Sequence, residues 1–375
     1  MAELGTANIG GRAVPAWVLE STAEEIDDSK WFSRPNLLDN WYFANPVDQK
    51  KGKIIQSGVN IYTDSTFGTL IGPAAYACPV VELTSTYAKV QDAKNTSSYY
   101  YVPPADVVRG YVGLSDSYDN YVLDRWRVEN NIVVTFESDG VSLENVGNLA
   151  GQYKQELPHD FFPEGTLLCI SAIVKSVSGD ARLFLSQSSS PFGHPVDFIS
   201  LLQPGLYSGF GNLLSGNHKF SIYLGAGAKI KLAAAKLELG QTQTLAHQEN
   251  GVWVFNEMPE EGEQLRRCLR YDYILGIDGQ NCPVGIGTAY STDGVICDIQ
   301  LPEYMRANPA VSLSGGGVHI RFSATQNLVA TSVLNYGFSG DKVQLYFPGL
   351  SGLTPGQSCD LYTETNSKLE FNSNL

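Results

Sequence analysis

Apolar side chains recur at every second position through most of this chain. The runs KIIQSGVNIYT, VVELTSTYAKV, DRWRVENNIVVTFES, GTLLCISAIVKSV, ARLFLSQ, HKFSIYLGAG and AKIKLAAAKLELG share this alternation, and Gly, Pro, Asn and Asp separate them. A period of two sends successive side chains to opposite faces of a pleated strand, so each run predicts a strand with one buried face. The runs lie some ten to twenty residues apart with no long helical pattern between them. That spacing predicts a β-sandwich and argues against parallel βαβ layering.

One segment carries a helical period. In NEMPEEGEQLRRCLRYDYILG, Asn256 is placed to cap and Pro259 suits the first turn. Glu260, Glu261 and Glu263 favour the positive end of the helix dipole, and Arg266, Arg267 and Arg270 favour the other. Leu265, Cys268 and Leu269 form one narrow apolar stripe. After Gly276 the strands resume, most clearly in GVICDIQL, where Val295, Cys297 and Ile299 face one way and Ile296, Asp298 and Gln300 the other. The predicted fold class is therefore mainly β: an antiparallel β-sandwich over residues 34–245, a short helical connector over 246–275 and a second antiparallel β domain over 276–375. Residues 1–33 read as an arm, broken by Gly5, Gly10, Gly11 and Pro15, in which STAEEIDDSK has room only for a short helix with Ser21 and Glu24 as a capping box.

Composition narrows the function classes. The 20 Tyr, 16 Phe and 5 Trp, with 37 Gly and 18 Pro, fit short strands and frequent turns. A formal net charge of −14 opposes nucleic-acid binding through phosphate neutralisation and opposes anionic lipid. Neither partner is expected. No apolar run is long enough to span a bilayer, and MAELGTANIGG does not open like a secretory signal. The six cysteines contain no Cys-x-x-Cys, so free thiols within cores are expected, in keeping with synthesis in a reducing cytoplasm.

Motifs for chemistry are sparse. Neither GxGxxG before a helix nor GxxxxGK[ST] is present, and GLYSGFGNLLSG reads as a loop. The histidines at 159, 194, 218, 247 and 319 show no zinc spacing and read as surface or loop residues. No GxSxG elbow occurs. Neither an enzyme nor a cofactor is expected; no residue is assigned to a metal, and no Asp-rich loop decides for or against a structural calcium ion. The positive lead is SSYYYVPPADVV, which sets Tyr99, Tyr100 and Tyr101 side by side. Tyrosine rings stack on sugar faces while the hydroxyl holds a polar contact, although the same rings also pack between subunits or over a core edge. Alternation requires at least one of the three to point away from its neighbours.

Several stretches resemble a family of bacteriophage tail-fibre and receptor-binding proteins found in phages and prophages of gut Gram-positive bacteria. NLLDNWYFANPVDQKKG is similar to the family's opening N-L-L-x-N-W-x-F-x-N-P-V-N-Q-x-G, and YVLDRWRV to its Y-x-x-D-R-W strand. FFPEGTLLCISAIVK is similar to a G-x-x-Y-T-L-S strand, AAAKLELGQTQTLAHQENGVWVFNEMPEEGEQLRRCLRYDYILG to the closing strand and the helix behind it, and QLPEYMRANPAVSL to an L-P-x-x-M-R-x-x-P step. The resemblance covers roughly residues 36 to 315 and departs at Lys50 to Asn120, where some seventy residues intervene before the DRW strand. It implies a carbohydrate-binding-module-like jelly roll and a virion protein made in the host cytoplasm. Such a protein is attached to other virion proteins through residues 1–33, assembled as a homotrimer and contacts a host cell-surface glycan. The stripe of Leu265, Cys268 and Leu269 would then suit three helices meeting on an axis. A head-fibre or decoration protein on the capsid, and a glycan depolymerase working with two carboxylates, are the alternatives.

Overall fold

Burial of alternate side chains determines the architecture. A computed structural model of the chain describes residues 6–9, 12–15, 34, 36–92, 95, 97–113, 121–129, 131–157, 162–187, 196–214, 216, 218–276, 280–323 and 325–373. Within the arm, Thr6–Ile9 pairs antiparallel with Arg12–Pro15, while the helix expected near Ser21 and Glu24 lies outside the described residues.

Two antiparallel sheets face each other in the sandwich. One runs, in spatial order, Tyr121–Leu123, Trp126–Glu129, Gly151–Leu157, His218–Leu224, Ala181–Gln187 and Val196–Ser200. The other begins Gly205–Asn212, Leu167–Ser178, Lys229–Leu239, Gly140–Asn145, Ile132–Glu137 and Val107–Val112. Successive strands repeatedly switch sheets, as a jelly roll requires. Between the sheets lie Trp126, Tyr153, Phe220, Ile170, Leu232 and their neighbours, all essentially without solvent exposure. The fold class expected from the alternation is the one observed.

The segment Lys50 to Asn120 continues the second sheet. Beyond Val107–Val112 follow Lys53–Ile55, Cys78–Leu83, Ala88–Gln91, Tyr99–Val102, Asn60–Tyr62 and Leu70–Pro73. These strands bury Ile55, Ile61, Cys78, Ala88, Val90 and Val102 in a core of their own.

Beyond the helix, Asp272–Leu275, Lys368–Asn372 and Ala310–Ser314 form a small sheet. It packs with a larger one ordered Asn327–Ala330, Val318–Arg321, Ser358–Thr363, Pro283–Ala289, Val295–Gln300, Lys342–Phe347 and Leu334–Ser339. Val295, Cys297 and Ile299 are buried and Ile296, Asp298 and Gln300 point outward, as the alternation predicts.

The stretches NLLDNW and DRW meet in one buried polar hub. The main chain of the first lies along Lys229–Leu239, with the Leu37 amide donating to the Leu237 carbonyl at 2.8 Å, Ala235 to Trp41 at 3.1 Å and Phe43 to Ala233 at 2.9 Å. The Asn40 side chain donates to the Val47 carbonyl at 2.7 Å and the Asp124 carbonyl at 3.0 Å, and accepts from the Val47 amide at 2.7 Å. The Trp126 indole donates to the carbonyls of Asp39 and Asn40. Arg125, 2% exposed, donates through Nε to Asp39 at 3.1 Å and lies 3.6 Å over the Tyr271 ring. Arg267 on the helix reaches the other Asp39 oxygen at 2.8 Å. Gln49 completes the joint: its amide nitrogen donates to Asp124 at 2.7 Å and to the Asp272 carbonyl at 2.8 Å. Sandwich, helix and C-terminal sheet are thereby tied through a handful of side chains.

Four expectations are corrected. The helix spans Glu261–Leu269, not a start at Asn256, because the Asn256 side chain is committed to the Thr244 carbonyl at 3.1 Å and to His247 at 2.5 Å, within the hairpin Ala246–Glu249 and Val252–Phe255. Its buried side chains are Gln264 and Cys268, with Leu265 39% exposed, so the stripe of Leu265, Cys268 and Leu269 does not present Cys268 outward to a helix on an axis. GLYSGFGN is a strand, not a loop; a Cβ on Gly209 would come within 2.7 Å of Ile199, so glycine permits the close packing there. His218 and His247 are buried, His319 is half-buried, and His159 and His194 lie outside the described residues. All six cysteines are buried free thiols, and burial pushes Cys169 and Cys297 up to about 12.

Removing one partner of a buried ion pair strands the other charge, so Asp39→Ala is expected to cost about 3–5 kcal/mol of unfolding free energy. Arg182→Ala, which breaks an exposed, solvent-screened pair with Asp180, should leave the midpoint of the same urea titrations close to that of the natural chain. Burial, opposed by the Gln49 hydrogen bonds, pushes the Asp124 carboxyl up to about 7 from 3.8. A folded-state value above the unfolded one means that the folded chain binds the extra proton, so this group's contribution falls as pH rises from about 4 to 7 and levels off above. Burial raises Asp272 in the same direction. Urea midpoints between pH 5 and 7.5 should fall more steeply for the natural chain than for Asp124→Asn.

Candidate functional site

Among the described residues, the strands added between Lys50 and Asn120 cover one face and leave the other open. Ala88, Val90 and Val102 point to the local core, so Lys89, Gln91, Tyr99 and Tyr101 point out. Cross-strand register then aligns a row over five strands: Glu82 opposite Lys89, Lys89 opposite Tyr101, Tyr101 opposite Tyr62, and Tyr62 opposite Leu70. Tyr87 meets the Tyr101 ring edge-on at 5.4 Å, and Phe67 meets Tyr62 at 5.2 Å. The outcome is a line of aromatic rings on an open sheet face.

Polar groups border these rings. Tyr87 donates to Glu82 at 2.7 Å, the Lys89 ammonium lies 4.6 Å over the Tyr99 ring, and Gln91 reaches the Tyr99 hydroxyl at 3.4 Å. Its hydrogen bond to the accepting Glu82 carboxylate pushes the Tyr87 hydroxyl above its ordinary range, so it is a neutral donor at neutral pH. Phe67 adopts φ of 59°, a conformation that costs a bulky side chain about 1–3 kcal/mol. Asp64 holds the turn, accepting the amides of Thr66 at 2.9 Å and Gly68 at 3.3 Å, and these bonds, with the Thr66 hydroxyl foremost, keep its carboxyl below the usual range. A turn built at that expense sets the Phe67 ring against Tyr62.

The three tyrosines of the sequence motif therefore divide. Tyr99, 42% exposed, and Tyr101 belong to the open face. Tyr100 turns toward the core and donates to Asp92 at 3.1 Å, beside Tyr76, which donates to the other Asp92 oxygen at 2.8 Å. Hydrogen bonding to Asp92 pushes Tyr76 up to about 12 and raises Tyr100 likewise. Tyr62, Phe67 and Tyr87 escape the sequence because their nearness depends on strand order. The alternation in VNIYT and TYAKV marks Tyr62 and Tyr87 as face residues without naming the face.

A second concavity, about 220 Å³, lies where the added strands meet the sandwich, lined by Gln56, Ala77, Thr135, Glu137, Glu144 and Lys229. Its carboxylates are engaged: Glu137 binds Lys231 at 2.6 Å and Glu144 binds Lys229 at 3.2 Å. Among the described residues no group of His, Cys, Asp and Glu is arranged to hold a metal ion, and no helix is long and apolar enough to cross a membrane.

No family model matches the chain, and no curated protein matches it. Solved structures with some likeness are carbohydrate-binding modules of β-sandwich type. A structure titled "CBM4 structure and function" is 11% identical, with a TM-score of 0.25, covering 35% of this chain and 95% of its own. The N-terminal CBM22-1–CBM22-2 tandem domain of Paenibacillus barcinonensis Xyn10C is 14% identical, with a TM-score of 0.25, over 71% of this chain and 96% of its own. A carbohydrate-binding module from the β-sandwich superfamily, described as promiscuous in specificity, is 12% identical, with a TM-score of 0.21, over 52% and 88%. At TM-scores of this size the likeness carries nothing about ligand.

The division of the tyrosines has a direct consequence for stability. Tyr100→Phe removes a donor to Asp92 and should cost about 1 kcal/mol in chemical unfolding. Tyr99→Phe, on the open face, should stay within about 0.5 kcal/mol of the natural chain.

Proposed function

We propose that this chain is a non-enzymatic glycan-binding protein of a bacteriophage virion, a fibre protein held to the particle through residues 1–33 and reading a host-surface sugar polymer with its β domains. The observation that carries the glycan reading is the open row of Tyr62, Tyr101, Tyr87 and Tyr99 with Phe67, bordered by Glu82, Lys89 and Gln91. Pyranose rings present an apolar face ringed by hydroxyls. Aligned aromatic rings accept the face, and adjacent carboxylate, amide and ammonium groups bond the rim. The virion assignment is supported by the resemblance of NLLDNWYFANPVDQ, DRW and KLELGQT to phage receptor-binding proteins. Single shallow contacts of this kind are weak. Copies carried together on one fibre would raise avidity by a factor of about 100–10,000 without any new contact.

Affinity electrophoresis in gels containing cell-wall polysaccharides tests the reading. The natural chain should be retarded by at least one polymer, and Tyr62→Ala with Tyr101→Ala should weaken that retardation about three- to tenfold, the loss of one to two ring contacts. Passage unretarded through every polymer, or release of soluble sugar from one, would defeat it.

A further inference from the structure

Among the described residues the large C-terminal sheet also leaves one face uncovered, and its residues are not those of the row described above. Its inner face holds Val295, Cys297, Ile299, Val343, Leu345 and Phe347. On the outer face Thr288, Ile296, Tyr346 and Leu334 stand opposite one another across four strands. Tyr290 and Tyr336, 57% and 56% exposed, close on Tyr346, so that the three ring centroids lie 5.8 to 6.3 Å apart. Gly294 makes room for this cluster: a Cβ there would fall 2.3 Å from the Tyr346 hydroxyl. Two residues along the same strands, on the same face, Gln344 donates to Asp298 at 2.8 Å.

We infer that the Tyr290, Tyr336 and Tyr346 cluster with Asp298 and Gln344 is a second saccharide-binding site, for a neutral oligosaccharide. Three rings in contact provide a stacking surface, and a carboxylate paired with an amide beside it supplies the acceptors and donors that vicinal hydroxyls need. Asp298 on the strand and Asp293 in the Tyr290 turn set two negative charges beside the rings, and Lys342 stands farther along the same face, two residues beyond Gln344, so an acidic sugar is disfavoured. A second copy of the chain fits the face less well. Stable subunit contacts bury about 800 Å² per partner around a charge-depleted centre. Away from the tyrosines this face instead carries Arg321 with Asp360 at 3.0 Å and His319 with Glu364 at 2.9 Å.

The inference rests on the glycan-binding function proposed above, and full-length variants separate the two. The probes are soluble neutral polysaccharides, a β-glucan, a xylan, a galactomannan and a glycol-chitin, in affinity gels. Tyr290→Ala with Tyr336→Ala should weaken retardation by at least one polymer about three- to tenfold, with an unchanged circular dichroism spectrum. Asp298→Ala, a surface change that leaves the rings in place, should weaken it in the same gel. If both variants migrate as the natural chain does while Tyr62→Ala with Tyr101→Ala is released, the second site is refuted and the proposed function stands. If no polymer retards the natural chain, both fall. If the tyrosine variant instead converts an oligomer to monomers by light scattering, the face is a subunit contact and the inference is overturned.

Discussion

The buried pair of Arg125 and Asp39 is the interaction on which the rest depends. An arginine 2% exposed has no water to solvate it, and its Nε hydrogen bond to Asp39 at 3.1 Å, its Nη2 bond to the Glu156 carbonyl at 2.9 Å and the face of Tyr271 take water's place. Each of those contacts comes from a different part of the chain. Satisfying one charge therefore obliges the opening segment, the sandwich and the turn after the helix to converge. Arg125 itself has φ of 71°, so the backbone is held off its preferred region in order to aim the side chain inward.

Around that pair, polarity is used as a joint. Gln49 bonds both Asp124 and the Asp272 main chain, and Lys50 pairs with Glu370 at 2.8 Å. An apolar joint of the same area would slide. A set of directional bonds with buried ends fixes one orientation, because any other leaves donors unpaired. The carboxyls of Asp124 and Asp272 sit close enough to this joint that burial holds protons on them well above the usual carboxylate range.

Much of the fold was legible because strand burial writes itself as a period of two: the sandwich strands and the inward set of Val295, Cys297 and Ile299 read directly. GLYSGFGN defeated that rule, since glycines take its covered places, where Gly209 lets Ile199 approach, while Phe210 points outward, and glycine in a run reads as a break. The helix start at Glu261 instead of Asn256 was hidden because the side chain best suited to cap is spent on Thr244 and His247 some ten residues back. For the candidate site, Tyr99 and Tyr101 were visible as a motif and their opposition to Tyr100 followed from alternation. Tyr62 and Phe67 were not visible. Their place beside Tyr101 comes from a strand order in which Asn60–Tyr62 lies next to Tyr99–Val102, far along the sequence, and from a left-handed Phe that no propensity would suggest.

The way residues 36–43 lie against the strand Lys229–Leu239 has a mechanical side. The amides of Leu37 and Phe43 and the carbonyl of Trp41 are bonded to that strand in sequence, with Asn36 clamping one end through Ala235 and Leu237. Tension drawn along this segment from the arm loads those bonds in shear, all at once, whereas a hairpin pulled at its open end would unzip one bond at a time. Under such a pull the stretch would hold as a splice into the centre of the sandwich, giving way only when several bonds part together.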